Sequence, residues 1–485
     1  MIFSSGLFLF LFLGFALVYW LLGRRDTLRL LFVTAFSYYF YYKSSGFYFF
    51  LLAVVTVSDF LLARGIWYVY EKPRTSHFVS RTAQARLLLT LSLVVDLGLL
   101  FYFKYTNFFG SLWARLTGGT FSALDIFLPV GISFFTFQSL SYTIDVYRRQ
   151  LQPLDSLLDY AFYVSFFPQL VAGPIVRARD FIPQIRRPLV VTNEMFGRGI
   201  FLIVAGLFKK AVISDYISVN FVERVFAQPD LYSGVENLLA VYGYTLQIYC
   251  DFSGYSDMAI GIALLLGFEF PKNFDSPYKS LSITEFWRRW HISLSSWLKD
   301  YLYISLGGNR LGRVRQYVNL MITMLLGGLW HGASLNFICW GGFHGLMLVA
   351  DKLFNKHFLD LQRRHSPIPA LQVLPRLLIT FHLVCFGWIF FRNQTFTGSF
   401  LMLRQILTQF KPQVFLQWVE SYQAVALLML TGYLLHFLPA SLSQRTQQFV
   451  TRMPLLLQAL LVVVVIFIVI QVKSADVQPF IYFQF

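Results

Sequence analysis

Apolar runs long enough to cross a lipid bilayer follow one another along most of this chain. A helix needs about 20 apolar residues to span a hydrocarbon core that is about 30 Å thick. Runs of that order lie at residues 2–22, 27–42, 46–63, 87–103, 125–147, 196–214, 236–267, 316–330, 334–352, 371–391, 421–438 and 454–473. Because several of them are short, they predict an all-α polytopic membrane protein with about 10 to 13 transmembrane helices.

The composition agrees with a membrane-embedded fold. Charged residues make up 13% of the chain and hydrophobic residues 56%, whereas soluble domains carry roughly 25% charged residues. The net charge of +16 is therefore interpreted as loop charge that sets orientation in the membrane. Membrane lipid is the expected surrounding, and no nucleic-acid partner is expected.

Two basic loops predict the orientation of the first helices. Residues 23–29 and 64–86 are rich in Lys and Arg and are separated by two apolar runs. Both loops are expected in the cytoplasm, which places the N-terminus outside. The run at 2–22 has no basic segment before it and no A-x-A cleavage site, so we interpret it as a retained span.

Two segments lack the pattern of a simple spanning helix. The run at 156–172 is interrupted by Pro168 and has basic flanks on both sides, which favours a re-entrant segment. Residues 279–315 also alternate basic and apolar stretches. There Ser282 and Glu285 predict a capping box, and the helical spacing of apolar residues predicts an amphipathic or re-entrant helix.

Three of the eight histidines are interpreted as lying in breaks that are rich in Trp or Gly, namely His291, His331 and His344. In GGLWHGAS, the glycines around His331 favour an unwound turn. A neutral imidazole there can accept and return a proton, as acyl transfer to a hydroxyl requires. The alternative is a core histidine that bonds a neighbouring carbonyl. A metal site is disfavoured because no HxxxH spacing is present.

Asp251 and Ser253 lie at the start of a long apolar run, with Asp257 close behind. Asp251 and Asp257, six residues apart, would point in different directions on a helix, so a paired-carboxylate site is not implied. The alternative is that Asp251 and Ser253 cap the helix while Asp257 pairs with a basic residue elsewhere. A nucleophilic Ser253 ranks low because the stretch is not G-x-S-x-G.

Five stretches together resemble the membrane-bound O-acyltransferase family, and most closely its bacterial branch that serves alginate O-acetylation. The resemblance covers residues 100–395. The stretches are LPVGISFFTFQSLSYTIDVYR (128–148), FFPQLVAGPIVR (166–177), YCDFSGYSDMAIGIALLLGFEFPKNFDSPY (249–278), EFWRRWHISLSSWLKDYLYISLGG (285–308) and LLGGLWHGASLNFICWGGFHG (325–345).

The resemblance implies a ring of about 10 to 13 helices around a thin centre of re-entrant and amphipathic segments that encloses a tunnel. One integral membrane domain is expected over residues 1–485, with a family core at 100–395 and a transmembrane extension at 396–485. His331, in the W-H-G motif, is expected to be the general base, and His291 to orient the acyl group or assist proton transfer. The side chains expected to line the tunnel are Trp287, Arg288, Trp290, Trp330, Asp251, Ser253, Asn336 and, in a more supporting role, His344.

The resemblance also implies a function. The expected enzyme is an O-acetyltransferase of the bacterial inner membrane that takes acetyl from a cytoplasmic thioester, with acetyl-CoA as the expected donor and no tightly bound cofactor. Extracytoplasmic partner proteins would then pass the acetyl group to an exopolysaccharide such as alginate. The alternatives are a teichoic acid D-alanyl transferase that uses an acyl carrier protein, and a polysaccharide-precursor transporter. The lack of visible inverted repeats speaks against transport.

Overall fold

A computed structural model describes residues 3, 5–23, 25–71, 78–363, 370–472 and 480–481. Within these residues the chain is largely helical and contains no β-strand, as the all-α prediction requires. The chain divides into two compact units. The first comprises Met1–Met195 and Ile262–Pro271, and the second comprises Phe196–Gly261 and Lys272–Phe485.

The helices of the first unit are α1 (Gly6–Leu22), α2 (Asp26–Ser45), α3 (Phe49–Glu71), α4 (Phe78–Leu100), α5 (Thr106–Thr117), α6 (Ile132–Tyr147), α7 (Leu157–Ser165), α8 (Phe167–Leu170) and α9 (Ala178–Ile185). Those that lie wholly or mostly in the second unit are α10 (Asn193–Leu207), α11 (Asp215–Ile217), α12 (Glu223–Ala227), α13 (Gly234–Leu265), α14 (Ile283–Arg289), α15 (Ile292–Trp297), α16 (Arg313–His331), α17 (Leu335–Phe354), α18 (Lys356–Arg363), α19 (Ala370–Arg392), α20 (Phe396–Thr408), α21 (Val414–Ser421), α22 (Gln423–Phe437), α23 (Ala440–Arg452) and α24 (Leu455–Val472).

Four helical stretches of the described chain are long and apolar enough to cross a membrane, and the bent pair α21–α22 makes a possible fifth. The four are Asp26–Glu71, Arg81–Thr117, Leu335–Phe354 and Leu371–Arg392. The first has 46 residues, about twice what one crossing requires, and it contains two of the runs predicted from sequence. The chain is a multi-pass membrane protein, and the total of 10 to 13 spans stays a prediction.

The segment at 156–172 is broken, as its sequence predicts. Helix α7 ends at Ser165, α8 is a single turn, and no regular structure follows until α9. The break is anchored inside the first unit, where the Phe167 N–H donates to the Ser37 hydroxyl at 3.2 Å. The backbone of Gly131 packs directly against this break. A side chain would not fit there, because a Cβ on Gly131 would lie 2.7 Å from the Leu170 carbonyl oxygen. The broken backbone is thus covered by protein, as a segment at membrane depth requires.

In the segment at 279–315 the residues with helical spacing form two short helices, α14 and α15, that are separated at His291. The capping box is present, since the Ser282 hydroxyl accepts the Glu285 N–H at 3.1 Å. However, α14 ends at Arg289 and α15 begins at Ile292, because His291 has a left-handed backbone with φ +44°. The Ile292 N–H donates to the Asn273 carbonyl at 2.9 Å instead of continuing the helix. The predicted break at His291 is therefore confirmed, and a tertiary hydrogen bond replaces the helical one there.

Helices α16 and α17 form a hairpin whose two backbones touch. A Cβ on Gly328 would lie 2.2 Å from the Phe337 carbonyl oxygen, and one on Gly341 would lie 2.3 Å from the Met324 carbonyl oxygen. Small residues permit this close approach, which favours helix association where lipid provides no hydrophobic driving force. The hairpin turn at 332–334 directly follows His331, so the contact between the helices positions that histidine.

Gly341→Ala is expected to destabilise the protein by about 1 to 3 kcal/mol, because the new methyl group must push α16 and α17 apart. Gly342→Ala is the matched control, since a Cβ at that neighbouring position would meet only the Leu325 side chain at 3.4 Å. Thermal unfolding of the two purified variants in detergent measures the difference. Equal melting temperatures would show that the backbones do not pack as closely as described.

Candidate active site

His331 is the last residue of α16, and Gly332 leaves the helix with an extended backbone. The predicted break after this histidine is therefore present. The imidazole is 3% exposed and is surrounded by aromatic rings. The rings of Trp330, Trp340 and Phe391 lie edge-on to it, with centroids 5.1, 5.0 and 5.2 Å away. These contacts place a titratable ring in a largely apolar environment from which water is excluded.

His291 lies between α14 and α15 and is fully buried. Its Nδ1 atom is 3.3 Å from the Asn273 amide oxygen, and the Phe252 ring stands edge-on to it at 4.6 Å. The left-handed backbone turns the chain at this point. The imidazole therefore belongs to neither the side-chain face of α14 nor that of α15. Tertiary contacts therefore position this ring.

Two tryptophans connect the three candidate histidines. Trp330 contacts His291 and His331, with centroid distances of 6.0 and 5.1 Å. Trp340 contacts His331 and His344, at 5.0 and 4.9 Å. Both nitrogens of His344 and the indole nitrogen of Trp340 are buried without a hydrogen-bond partner among the described residues. The structure thus brings His331 together with both of the other histidines through shared aromatic neighbours.

Two further predicted tryptophans also join this aromatic group. Trp287 stands edge-on to His344, at a centroid distance of 5.2 Å. Trp290 is 1% exposed and packs on Trp388 at 4.9 Å. Trp388 in turn lies 6.0 Å from Trp340. These rings form the wall of the candidate site.

Arg288 and Asn336 lie apart from the ring contacts. Arg288 is exposed, and Asn336 is buried with its amide donating to the Asn393 carbonyl at 2.6 Å. That bond connects the start of α17 to the chain just after α19, which is a structural link in this geometry. A role for either residue in binding substrate stays a prediction.

Asp251 and Ser253 lie well inside α13, which begins at Gly234. The alternative in which both residues cap a helix is therefore wrong, because the helix begins many residues before Asp251. Ser253 is buried. Asp257 does pair with a base, since the Lys209 ammonium lies 2.6 Å from its carboxylate.

A buried ion-pair group surrounds Asp251. The Lys210 ammonium lies 2.5 Å from Asp251 and 2.6 Å from Asp215, and the other Asp251 oxygen accepts the Ile481 N–H at 2.9 Å. Lys209 and Lys210 are consecutive, yet both reach carboxylates of α13. They lie in a π-helical segment, Phe208–Ser214, whose wider turn changes the directions of successive side chains.

The loop that carries Asn273 is fixed to α14 by Arg289, whose guanidinium lies 3.7 Å from the Asp275 carboxylate and donates to the Asp275 carbonyl at 3.2 Å. Within the loop Lys272 pairs with Asp275 at 2.5 Å, and within α14 Arg289 pairs with Glu285 at 2.8 Å. Burial favours the protonated form of Asp275, but the hydrogen bond and charge of Lys272, together with the charge of Arg289, outweigh this effect and lower its pKa. The carboxylate is therefore charged at neutral pH and holds the loop in place.

Sequence reasoning missed several residues of the site. Asn273, Lys210, Trp340 and Trp388 are buried and contact or support the residues described above. Trp340 carried a signal, since it is only nine residues from His331 in an apolar run. Asn273 carried none, and Lys210 carried none for its pairing with Asp251, because these partners are distant in the chain.

These features define a helical membrane protein with imidazole rings buried among aromatic side chains. His291 and His331 lie at breaks between helices, whereas the break expected at His344 is absent because that residue lies inside α17. Such a site suits proton transfer in a space protected from water. Residues 36–391 match the membrane-bound O-acyltransferase family, MBOAT. The chain belongs to this family and is an O-acyltransferase. This match begins at residue 36, upstream of the range 100–395 that the resemblance covers.

The chain is similar to acyltransferases of bacterial envelopes. It is 43% identical over 406 residues to the "Probable alginate O-acetylase AlgI" of Azotobacter vinelandii, covering 83% of this chain and 77% of that protein. It is 37% identical over 370 residues to the "Peptidoglycan O-acetyltransferase" of Helicobacter pylori, covering 71% and 69%. The "Teichoic acid D-alanyltransferase" of Bacillus subtilis is more distant, with 29% identity over 284 residues, 55% of this chain and 69% of that protein.

Proposed function

We propose that this protein transfers acetyl from a cytoplasmic thioester across the membrane for O-acetylation of an exopolysaccharide such as alginate. The burial of His331 in an aromatic wall at the helix break, within the region that matches the family, is the observation that carries the proposal. Similarity to an alginate O-acetylase over 83% of the chain supports acetyl as the group and a glycan as the final acceptor. Acetyl-CoA is the proposed donor.

In the proposed reaction, His331 removes the proton of an attacking hydroxyl, whose oxygen forms a bond to the thioester carbonyl carbon. The tetrahedral intermediate then collapses, the carbon–sulfur bond breaks, and the thiolate leaves with the proton returned by the imidazole. His291 either orients the acyl group or assists the proton transfer. The thioester already supplies an activated acyl group, so the reaction requires no tightly bound cofactor.

The aromatic wall has a chemical consequence in this mechanism. Trp330, Trp340 and Phe391 surround His331 and leave little room for bulk water. A water molecule beside the base would compete with the hydroxyl and hydrolyse the thioester. We therefore assign Trp287, Trp290 and Trp330 to the wall of a substrate tunnel, with His344 supporting it through its contacts with Trp287 and Trp340.

The proposed setting is the inner membrane of a bacterium, with the N-terminus outside, as the basic loops indicate. The donor approaches from the cytoplasm, and extracytoplasmic partner proteins receive the acetyl group and pass it to the polymer. D-alanyl transfer from an acyl carrier protein has weaker support, because the similarity to a teichoic acid D-alanyltransferase is lower and covers 55% of the chain.

A donor comparison tests this function. The purified protein in proteoliposomes is expected to consume acetyl-CoA and acetylate an added alginate-type acceptor system, while a D-alanyl carrier-protein thioester is not consumed. A reversed preference would replace the acetyl proposal with D-alanyl transfer. Movement of glycan into vesicles without loss of thioester would support a transporter instead.

A further inference from the structure

One buried residue, Asn273, bonds to the His291 ring and to the two residues that follow it. The Asn273 side-chain oxygen accepts the Ser293 N–H at 3.2 Å and the Ser293 hydroxyl at 2.9 Å, and it lies 3.3 Å from His291 Nδ1. Its amide nitrogen donates to the Ser256 hydroxyl at 3.1 Å, and its backbone carbonyl accepts the Ile292 N–H. Asn273 thus bonds the residues on the C-terminal side of His291 as well as the ring itself.

These contacts determine which way the amide faces. A backbone N–H can only donate, so the Asn273 atom next to the Ser293 N–H must be the oxygen. Rotating the amide by 180° would place its NH₂ group against that N–H and lose the bond. The same oxygen faces His291 Nδ1, and an amide oxygen can only accept. His291 Nδ1 must therefore carry a proton in this geometry.

We propose that Asn273 is a positioning residue that holds neutral His291 in the tautomer with the proton on Nδ1 and the lone pair on Nε2. This inference rests on the proposed participation of His291 in acyl transfer. The partner of one ring nitrogen commonly sets the tautomer and orientation of a functional imidazole. Ser256, on α13, supports the arrangement by fixing the other end of the amide.

The tautomer selects between the two roles proposed for His291. A lone pair on Nε2 cannot donate a hydrogen bond to an acyl carbonyl oxygen, so orientation of the acyl group through Nε2 is disfavoured. The lone pair can take up a proton instead. In the proton-transfer role, His291 Nε2 receives the proton of the hydroxyl from His331 by way of the bound reactants and delivers it to the leaving thiolate, which returns both imidazoles to the neutral state.

The test compares the pH dependence of kcat for acetyl transfer from acetyl-CoA in the full-length wild type and in Asn273→Asp. Aspartate has nearly the same shape and still accepts from Nδ1, but its charge stabilises the imidazolium. Because the reaction uses neutral His291, the acidic limb of the profile is expected to move up by about 1 to 3 pH units, with activity recovered at high pH. A purely structural asparagine would give no such movement.

Three further variants complete the test. Asn273→Leu removes the acceptor and is expected to lower kcat by about 10- to 100-fold with KM nearly unchanged. Asn220→Asp makes the same chemical change on a half-buried side chain whose amide donates to the Tyr216 carbonyl, and it should leave the profile in place. If His291→Ala is inactive while the Asn273→Asp profile superimposes on wild type, the positioning role is wrong. If His291→Ala is fully active, the proposed role of His291 itself fails.

Discussion

Replacing His331 with alanine is expected to lower kcat for acetyl transfer by about 10²- to 10⁴-fold, the usual contribution of a positioned general base. The imidazole ends α16 and is surrounded by the rings of Trp330, Trp340 and Phe391, none of which can act as a base in its place. Thioester consumption and acetylated product are both measured at saturating donor, because loss of the base should affect the chemical step more than donor binding.

His382→Ala is the matched control for this variant. His382 is exposed on α19 and bonds the Tyr242 hydroxyl at 2.8 Å, so its loss removes an imidazole from the same unit without touching the candidate site. We expect wild-type activity within about twofold, since the residue contributes nothing to the transition state. Near-normal turnover by His331→Ala would contradict the assignment of His331 as the base.

Replacing Lys210 with methionine is expected to lower the free energy of unfolding by about 3 to 5 kcal/mol, the typical cost of breaking a buried ion pair by removing one partner. The side chains of Lys210 and Asp251 are each 3% exposed, and Asp215 also depends on the same ammonium. Methionine fills most of the space but leaves two carboxylates without a counter-charge. Chemical denaturation of the purified protein in detergent measures the loss.

The neighbouring lysine provides the control. Lys209 and Asp257 are 28% and 21% exposed, so solvent screens their interaction and Lys209→Met should cost less. Adding Asp251→Asn to Lys210→Met should recover part of the stability, because it removes one uncompensated charge. If the two lysine variants are equally stable, the buried pair does not stabilise α13 as described.

Much of the local structure could be predicted from the residues themselves. The Ser282–Glu285 cap and the break at Pro168 depend on neighbours within a few positions, and both are present. The position of His331 at a helix end follows from the adjacent Gly332, which adopts an extended backbone. These features depend on short-range sterics and hydrogen bonding, which a single sequence reports directly.

The break at His291 was predicted, but its cause could not be predicted in the same way. Trp287, Trp290 and Leu294 recur with helical spacing, and no Gly or Pro lies between them to end the helix. The helix ends because Asn273, 18 residues upstream, bonds the backbone on the far side of His291. Periodicity reports which faces are apolar, but it does not report which distant acceptor will compete for a backbone N–H.

The sequence by itself determined that the chain is a helical membrane protein, and its motifs pointed to the acyltransferase family and to His331 and His291. Hydrophobicity and chain length suffice for the first conclusion, because a bilayer admits only backbones that satisfy their own hydrogen bonds. Only the tertiary structure decided that Trp330 and Trp340 connect the histidines, that Lys210 neutralises Asp251, and that Asn273 faces His291. Such contacts join residues far apart in the chain, and their geometry depends on how whole helices pack.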